Sequence, residues 1–216
     1  MVVWGDIDTV LLDMDGTLLD LHFDNYFWRE YLPVKWGEKY ALEPDEAKRR
    51  LSPRFESIHG TLNWYCIDFW TEELQIDVMA LKNEIDHLIQ IRPHTEEFLD
   101  FLHQLNKHVF MVTNCHERLI ELKMQKTGIE RYFHEIYSSH RFGVPKEEND
   151  FWIKLRQEID FVPEKTVLID DNLTVLRAAR DYGIKHLLTI TKPDSQRPLK
   201  DTEEFNAIDS FQQVIL

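Results

Sequence analysis

The chain is poor in cysteine, with only Cys66 and Cys115 among 216 residues. They lie far apart and outside any CxxC or Cys/His ligand spacing, so no disulfide framework is expected and a reducing, cytoplasmic setting is. Positive charge is also scarce: 25 Lys and Arg against 39 Asp and Glu leave a formal net charge of -14. Nucleic acid and acidic membrane surfaces would be repelled, and neither is expected as a partner. No apolar run approaches the roughly 18 residues of a membrane span, and no charged-then-apolar leader opens the chain, so the expectation is a soluble, unexported protein. No internal repeat, no low-complexity stretch and no sign of a protein partner is found. What is present is ordinary: 43% hydrophobic and 30% charged residues, enough for one sizeable core with an inserted module, or two small domains.

The acidic balance leaves room for a small phosphorylated substrate, which needs only a local positive well that a divalent cation and one lysine can supply. A motif of that kind opens the chain. Val10-Leu11-Leu12 is apolar and delivers Asp13 and Asp15, one residue apart, onto the turn Gly16-Thr17. Charge placed at a buried strand end is costly unless a metal, a partner or a shared proton compensates. Asp13 could then attack an electrophile, while Asp15, crowded by a like charge, keeps a proton to donate. A strand followed by a polar Asp-Gly turn is the structural alternative.

Patterning divides the chain. After the strand at 10–13, segments 25–36, 44–58, 64–74 and 78–89 carry helical apolar spacing with no strand-like alternation. Asp24 is placed as a cap of the first, and Glu43-Pro44-Asp45-Glu46 as a helix start. From 95 onward helices at 95–106, 117–127, 148–159 and 173–182 alternate with strands at 108–112, 135–138, 166–169 and 185–189. That succession predicts an α/β fold, a Rossmann-like parallel sheet flanked by helices, with ligands outside the carboxyl ends of its strands. The expected domains are a core of 1–19 and 93–216 and an all-helical cap of 20–92 inserted over those strand ends. Residues 192–198 read as loop, and the tail beyond is not predicted.

Three further strand ends carry candidate residues. Val112 leads into Thr113-Asn114, whose hydroxyl, amide and backbone N–H groups before a helix suit an anion; helix capping is the plainer explanation. Lys146 lies in the loop Gly143-Val144-Pro145-Lys146, where a lysine is ordinarily solvated. Val167-Leu168-Ile169 leads into Asp170-Asp171-Asn172, a second apolar strand ending in paired carboxylates. Two such pairs could hold one hard cation through oxygen.

The ordered set Asp13-Met14-Asp15-Gly16-Thr17, Thr113-Asn114, Lys146 and Asp170-Asp171 resembles the haloacid dehalogenase-like hydrolase superfamily over essentially the whole chain. Within it, Phe23-Asp24-Asn25-Tyr26-Phe27-Trp28, Thr61-Leu62-Asn63-Trp64-Tyr65-Cys66, Phe142-Gly143-Val144-Pro145-Lys146-Glu147 and Thr191-Lys192-Pro193-Asp194-Ser195 resemble the bacterial purine 5′-nucleotidases. The resemblance implies a Mg²⁺-dependent phosphomonoester hydrolase acting on purine nucleoside monophosphates such as GMP and IMP, with Mn²⁺ as an alternative ion. Asp13 would be the nucleophile that takes up the phosphoryl group, and Asp15 the acid and base. The Asp13 and Asp170 carboxylates and the Asp15 carbonyl would hold the metal, and Asp171 would orient a metal-bound water or fix Lys146. Thr113 and Asn114 would bind phosphoryl oxygens, and Lys146 would neutralise charge. One departure stands out: many members carry Lys-Pro, where this chain has Lys146-Glu147.

Twelve of the 26 aromatic residues fall between Phe23 and Trp70. Rings such as Trp28, Trp64 and Tyr65 could stack on a purine, with Asn25, Asn63 or Asp68 reading its edge; most of them are also needed to build a small helical core. His22 and His59 read as structural or solvated. Other readings remain: a phosphoglycolate or sugar-phosphate phosphatase, a phosphomutase, a dehalogenase (disfavoured by Asp15), or a phosphate-binding regulatory module without catalysis.

Overall fold

The computed structural model describes residues 2–215. Its centre is β1 (Thr9–Leu12), whose four residues are all buried. Helices α1 (His22–Tyr26), α2 (Leu32–Tyr40), α3 (Pro44–Ile58), α4 (Leu62–Tyr65), α5 (Ile67–Leu74) and α6 (Val78–Glu84) occupy the connection to the next strand. The alternating half follows as α7 (Thr95–Gln104), β2 (His108–Thr113), α8 (Glu117–Thr127), β3 (Glu135–Ser138), α9 (Ser139–Phe142), α10 (Asn149–Glu158), β4 (Thr166–Ile169), α11 (Leu173–Tyr182), β5 (His186–Ile190) and β6 (Ala207–Ile208). The strands form one parallel sheet in the order β3-β2-β1-β4-β5-β6.

Period-two alternation explains the layering. Val10 and Leu12 join one apolar cluster with Val109, Met111, Val167 and Ile169. Leu11 faces the other way with Val112 and Leu168. Helices α7 and α8 cover the first face through Phe98, Leu99, Leu102 and Leu119. Helices α10 and α11 cover the second through Phe151, Trp152, Leu155, Val175 and Leu176. The inserted helices share the first cluster, since Phe23, Phe27, Leu51 and Trp70 belong to it.

β1 lies between β2 and β4, with Leu12 in register with both Met111 and Ile169. The residues that follow these three strands therefore emerge side by side, and Asp13 N–H extends the ladder by donating to the Ile169 carbonyl at 3.0 Å. All four expected helices and all four expected strands after residue 95 are found within a few residues of their anticipated limits.

The inserted segment differs in detail. The first helical segment starts earlier, at His22, and passes through one π-helical turn, Phe27–Tyr31, before α2. Asp24 therefore lies inside α1 and caps nothing; its carboxylate is drawn into the interior by two lysines described below. The expected helix at 64–74 breaks at Cys66, whose backbone is extended and whose Sγ caps α5 by accepting from Phe69 N–H. In the tail, β6 adds a sixth strand, and the Phe211 ring stacks on Phe98 with centroids 4.5 Å apart.

Leu11 is fully buried at the centre of the sheet. Leu11→Ala is expected to lower the unfolding free energy by about 2–5 kcal/mol in urea denaturation. A loss well under about 1 kcal/mol would contradict its position in the second cluster.

Candidate active site

The loop after β1 is built around a glycine. Gly16 has φ +88°, and a Cβ there would stand 2.7 Å from Asp171 Cγ. The position thus needs a residue free to adopt positive φ and small enough to let the two acidic strand ends approach. The loop closes on itself through Gly16 N–H to the Leu19 carbonyl, 2.8 Å, and Leu18 N–H to the Met14 carbonyl, 2.9 Å. Thr17 Oγ1 accepts from Asp171 N–H at 3.1 Å, tying the loop after β1 to the one after β4.

Lys146 stands at the junction of three strands. Its Nζ donates to Asp13 Oδ1 at 2.6 Å, Asp170 Oδ2 at 2.7 Å and the Val112 carbonyl at 3.0 Å. The side chain is buried, unlike an ordinary loop lysine. Its backbone is held at both ends: Lys146 N–H donates to Asn114 Oδ1 at 2.9 Å, and its carbonyl accepts from Trp152 Nε1 at 3.0 Å. Burial opposes its charge, but Asp13 and Asp170 outweigh that and hold the ammonium above its ordinary value. Thr113 ends β2 with its Oγ1 accepting from Cys115 N–H at 3.0 Å, so this hydroxyl shapes the turn ahead of α8, whose first flanking residue, His116, gives no side-chain cap. Cys115 is buried, and burial pushes its thiol well above the ordinary range, away from the reactive thiolate.

A second charged chain runs beneath Asp15. Lys123 of α8 donates to Asp15 Oδ1 at 2.6 Å and to Asp24 Oδ2 at 2.7 Å. Lys82 of α6 donates to Asp24 Oδ1 at 2.6 Å and lies 4.3 Å from the Phe27 ring centroid. Both lysine side chains are about 1% exposed, so neither is a solvated surface charge. Burial alone would raise Asp24, but Lys123 and Lys82 overcome it and hold the carboxyl far below its ordinary value. Asp15 is moved upward, by burial first and by Asp24, with Lys123 opposing.

Burial raises Asp13, Asp170 and Asp171 as well, with neighbouring carboxylates adding to it at each. In this cluster the carboxylates of Asp13, Asp15, Asp24, Asp170 and Asp171 face the ammonium groups of Lys82, Lys123 and Lys146. Lys200, beside Asp171, adds a fourth positive charge, and the carboxylates remain in excess. One carboxylate oxygen each from Asp13, Asp170 and Asp171 lies within 4.8 Å of the others. An all-oxygen, under-neutralised donor set fits a hard divalent ion such as Mg²⁺.

The site opens into a cleft of about 910 Å³. Asp13, Asp15, Thr113, Asn114, Lys146, Asp170 and Asp171 line its floor, and Asn25, Trp28, Trp64 and Tyr65 its wall. The residues singled out for catalysis, phosphate and metal are thus brought to one cavity, together with Asn25, Trp28, Trp64 and Tyr65 of those singled out for the base. Asn63 and Asp68 are not among its lining residues, and Asp68 instead pairs with Arg118 at 2.8 Å. His59 lines the cleft, with its ring 5.1 Å from Trp64.

The sequence reading missed four participants. Lys82, Lys123 and Asp24 lacked a local signal. Glu147 had one, as the departure from Lys-Pro: its carboxylate accepts from Tyr65 OH at 2.6 Å, Asn114 Nδ2 at 2.8 Å and Asn172 Nδ2 at 3.2 Å. It joins the inserted helices to the loops after β2 and β4.

The sequence profile of the haloacid dehalogenase-like hydrolases matches residues 7–183. The chain belongs to that family. It is 37% identical over 214 residues to the GMP/IMP nucleotidase of Escherichia coli K12, covering 99% of this chain and 96% of that one. It is 22% identical over 187 residues, 84% of each chain, to the phosphorylated carbohydrates phosphatase of Thermotoga maritima. Among solved structures the fold is shared with a phosphatase of the same family from Thermococcus onnurineus, at TM-score 0.80, 20% identity and 96% coverage of both chains. This hydrolase is an enzyme of the phosphomonoester-hydrolysing kind, with a second carboxylate two residues after the first.

The Lys123 pairs are buried, whereas the Lys126–Asp86 pair at 2.7 Å is partly exposed. Lys123→Met is expected to destabilise the fold by about 3–5 kcal/mol, because it strands Asp15 and Asp24. Lys126→Met should cost no more than about 1 kcal/mol. Equal effects of the two substitutions in urea denaturation would contradict the buried network.

Proposed function

We propose that the enzyme dephosphorylates purine nucleoside 5′-monophosphates, GMP and IMP foremost, through a phosphorylated Asp13, with residues 20–92 acting as the cap that selects the substrate. The chemistry is carried by one observation: Asp13 and Asp170 share the buried Lys146 ammonium beside Asp15 on the floor of one cleft. The nucleotide preference is supported by the similarity to the Escherichia coli nucleotidase over nearly the whole of both chains.

Phosphoryl transfer needs positioning and charge neutralisation more than elaborate covalent machinery. Asp13 Oδ attacks phosphorus while the bond to the nucleoside oxygen breaks. Asp15, whose carboxyl is raised by burial, gives its proton to the departing oxygen. The same carboxylate then takes a proton from the water that attacks the aspartyl phosphate, returning Asp13 as carboxylate and releasing inorganic phosphate. Lys146 lowers the repulsion between Asp13 and the incoming anion and fixes the Asp13 rotamer. Thr113 and the backbone at Asn114 receive phosphoryl oxygens. The Asp13 and Asp170 carboxylates and the Asp15 carbonyl would hold Mg²⁺, with Asp171 beside them; the ion supplies neutralisation of the dianionic ester.

On the wall, Trp28 and Trp64 stack on each other at 6.0 Å and 27°, so a base would meet the exposed edge of that pair. Asn25 Nδ2 is already given to Asp194 Oδ2 at 2.7 Å. Glu56 is exposed and lines the cleft, and a carboxylate accepts from the N1–H that guanine and hypoxanthine share and adenine lacks. The cap therefore favours 6-oxopurines.

Asp13→Asn is expected to leave no turnover above background, and Asp15→Asn to lower kcat by about 10²–10⁴-fold. Near-normal turnover of Asp13→Asn would refute the aspartyl-phosphate route. A panel of GMP, IMP, AMP, pyrimidine monophosphates, phosphoglycolate and sugar phosphates with added Mg²⁺ tests the substrate class, and GMP and IMP should lead. Rates no better than the rest would sink the purine assignment. Glu56→Ala should cost about ten- to a hundredfold in kcat/KM for GMP while sparing a sugar phosphate.

A further inference from the structure

A second cluster of ligating side chains lies apart from the carboxylates. Cys66, between α4 and α5, meets His116, which precedes α8, and His140 of α9. One ligand atom from each lies within 4.8 Å of the other two, and all three residues are half-buried. The donor set is one sulfur and two ring nitrogens, the chemistry of zinc and not of magnesium.

The ring nitrogens carry the inference. Among the described residues, His116 Nδ1 and His140 Nε2 are both buried with no hydrogen-bond partner. Buried polar atoms are nearly always paired, and two such orphans beside a thiol need an explanation. The imidazole rings lie 4.9 Å apart at 66°, too close for both to carry charge comfortably. Asp68 Oδ2 stands 3.5 Å from His116 Nε2, which favours the proton on that nitrogen and leaves Nδ1 bare. A carboxylate behind a histidine in this way fixes the tautomer of metal-ligating imidazoles. Asp68 is itself held by Arg118 at 2.8 Å. Among the described residues, Cys66 Sγ accepts only the weak bond from Phe69 N–H at 3.4 Å.

We propose that Cys66, His116 and His140 form a Zn²⁺ site distinct from the phosphate site, with solvent completing a four-coordinate shell. Binding deprotonates the Cys66 thiol, and that proton leaves to solvent; both imidazoles bind neutral. The site has a structural consequence. Cys66 joins two of the inserted helices, whereas His116 lies in the loop after β2 and His140 in α9 after β3, so the ion clamps one part of the chain to the other. Tyr65 and Asn114, which meet at Glu147 on the cleft wall, are one and two residues from the ligands. The clamp therefore reaches the edge of the active site without sharing a residue with it.

The test titrates Co²⁺, then Zn²⁺, into full-length, chelator-stripped protein with excess Mg²⁺ present to occupy the carboxylates. The expected result is a thiolate-to-cobalt charge-transfer band saturating at one equivalent, displaced by Zn²⁺, with a Zn²⁺-dependent rise in Tm. The band and the Tm rise should be lost in Cys66→Ser, whose hydroxyl keeps the α5 cap, and in the double variant His116→Gln/His140→Gln. Both should persist in Cys115→Ser and in Asp13→Asn, and Asp68→Asn should weaken Zn²⁺ binding about tenfold. A wild-type protein without the charge-transfer band, or a band that survives Cys66→Ser in folded protein, overturns the proposal. Neither outcome depends on phosphatase activity, so the substrate assignment stands or falls separately.

Discussion

The site depends on one buried ammonium group. A lysine removed from water is tolerated only where opposite charge and hydrogen bonds replace its hydration, and Lys146 finds these in Asp13, Asp170 and the Val112 carbonyl. Each partner comes from a different strand end, so the lysine fastens β1, β2 and β4 to one another where the ladder stops. The dependence is mutual. Two carboxylates could not lie so near each other in the interior without it, and it could not stay charged without them. The strand order, which puts β1 between β2 and β4, is what allows a single side chain to reach all three.

The core was legible because its signals are local. An apolar run ending in Asp13 and Asp15, and another ending in Asp170 and Asp171, can be read from a few consecutive residues, and alternation from 95 onward fixes the parallel sheet. Lys82 and Lys123 were not legible, because each looks like any helical lysine. Their partners lie 58 and 108 positions away, and only the folded chain reveals that these lysines point inward. The same limit applies to Cys66, His116 and His140, whose spacing matches no ligand motif. Asp24 illustrates the opposite error. Its place near a helix start suggested a cap, but two buried ammonium groups are stronger partners than a backbone N–H.

Glu147 lies between these cases. Family resemblance set an expectation at that position, and the chain departs from it. Proline there could fix the loop's backbone but could accept nothing through its side chain. Glutamate instead gathers Tyr65, Asn114 and Asn172. The departure substitutes a hydrogen-bonded hub for backbone stiffness, and it makes the position of Tyr65 on the cleft wall depend on the same loop that supplies Lys146.

An acidic protein that binds an anionic ester faces a conflict that net charge cannot resolve. With a formal charge of -14, long-range attraction does not assist the substrate, so binding must rest on short-range order. The interior achieves this by pairing nearly every charge: Asp24 is satisfied by two lysines, Asp15 by one, and Asp13 and Asp170 share one. What is left unpaired is a small excess of carboxylate oxygen at the strand ends, the requirement of a hard divalent ion. Such an ion would turn the floor from repelling to attracting phosphate, within a few ångströms of the strand ends. A floor of this kind would recognise phosphate and nothing further. Selectivity would then fall to the wall of the cleft, which carries packed rings such as Trp28 and Trp64 and exposed polar side chains such as Glu56.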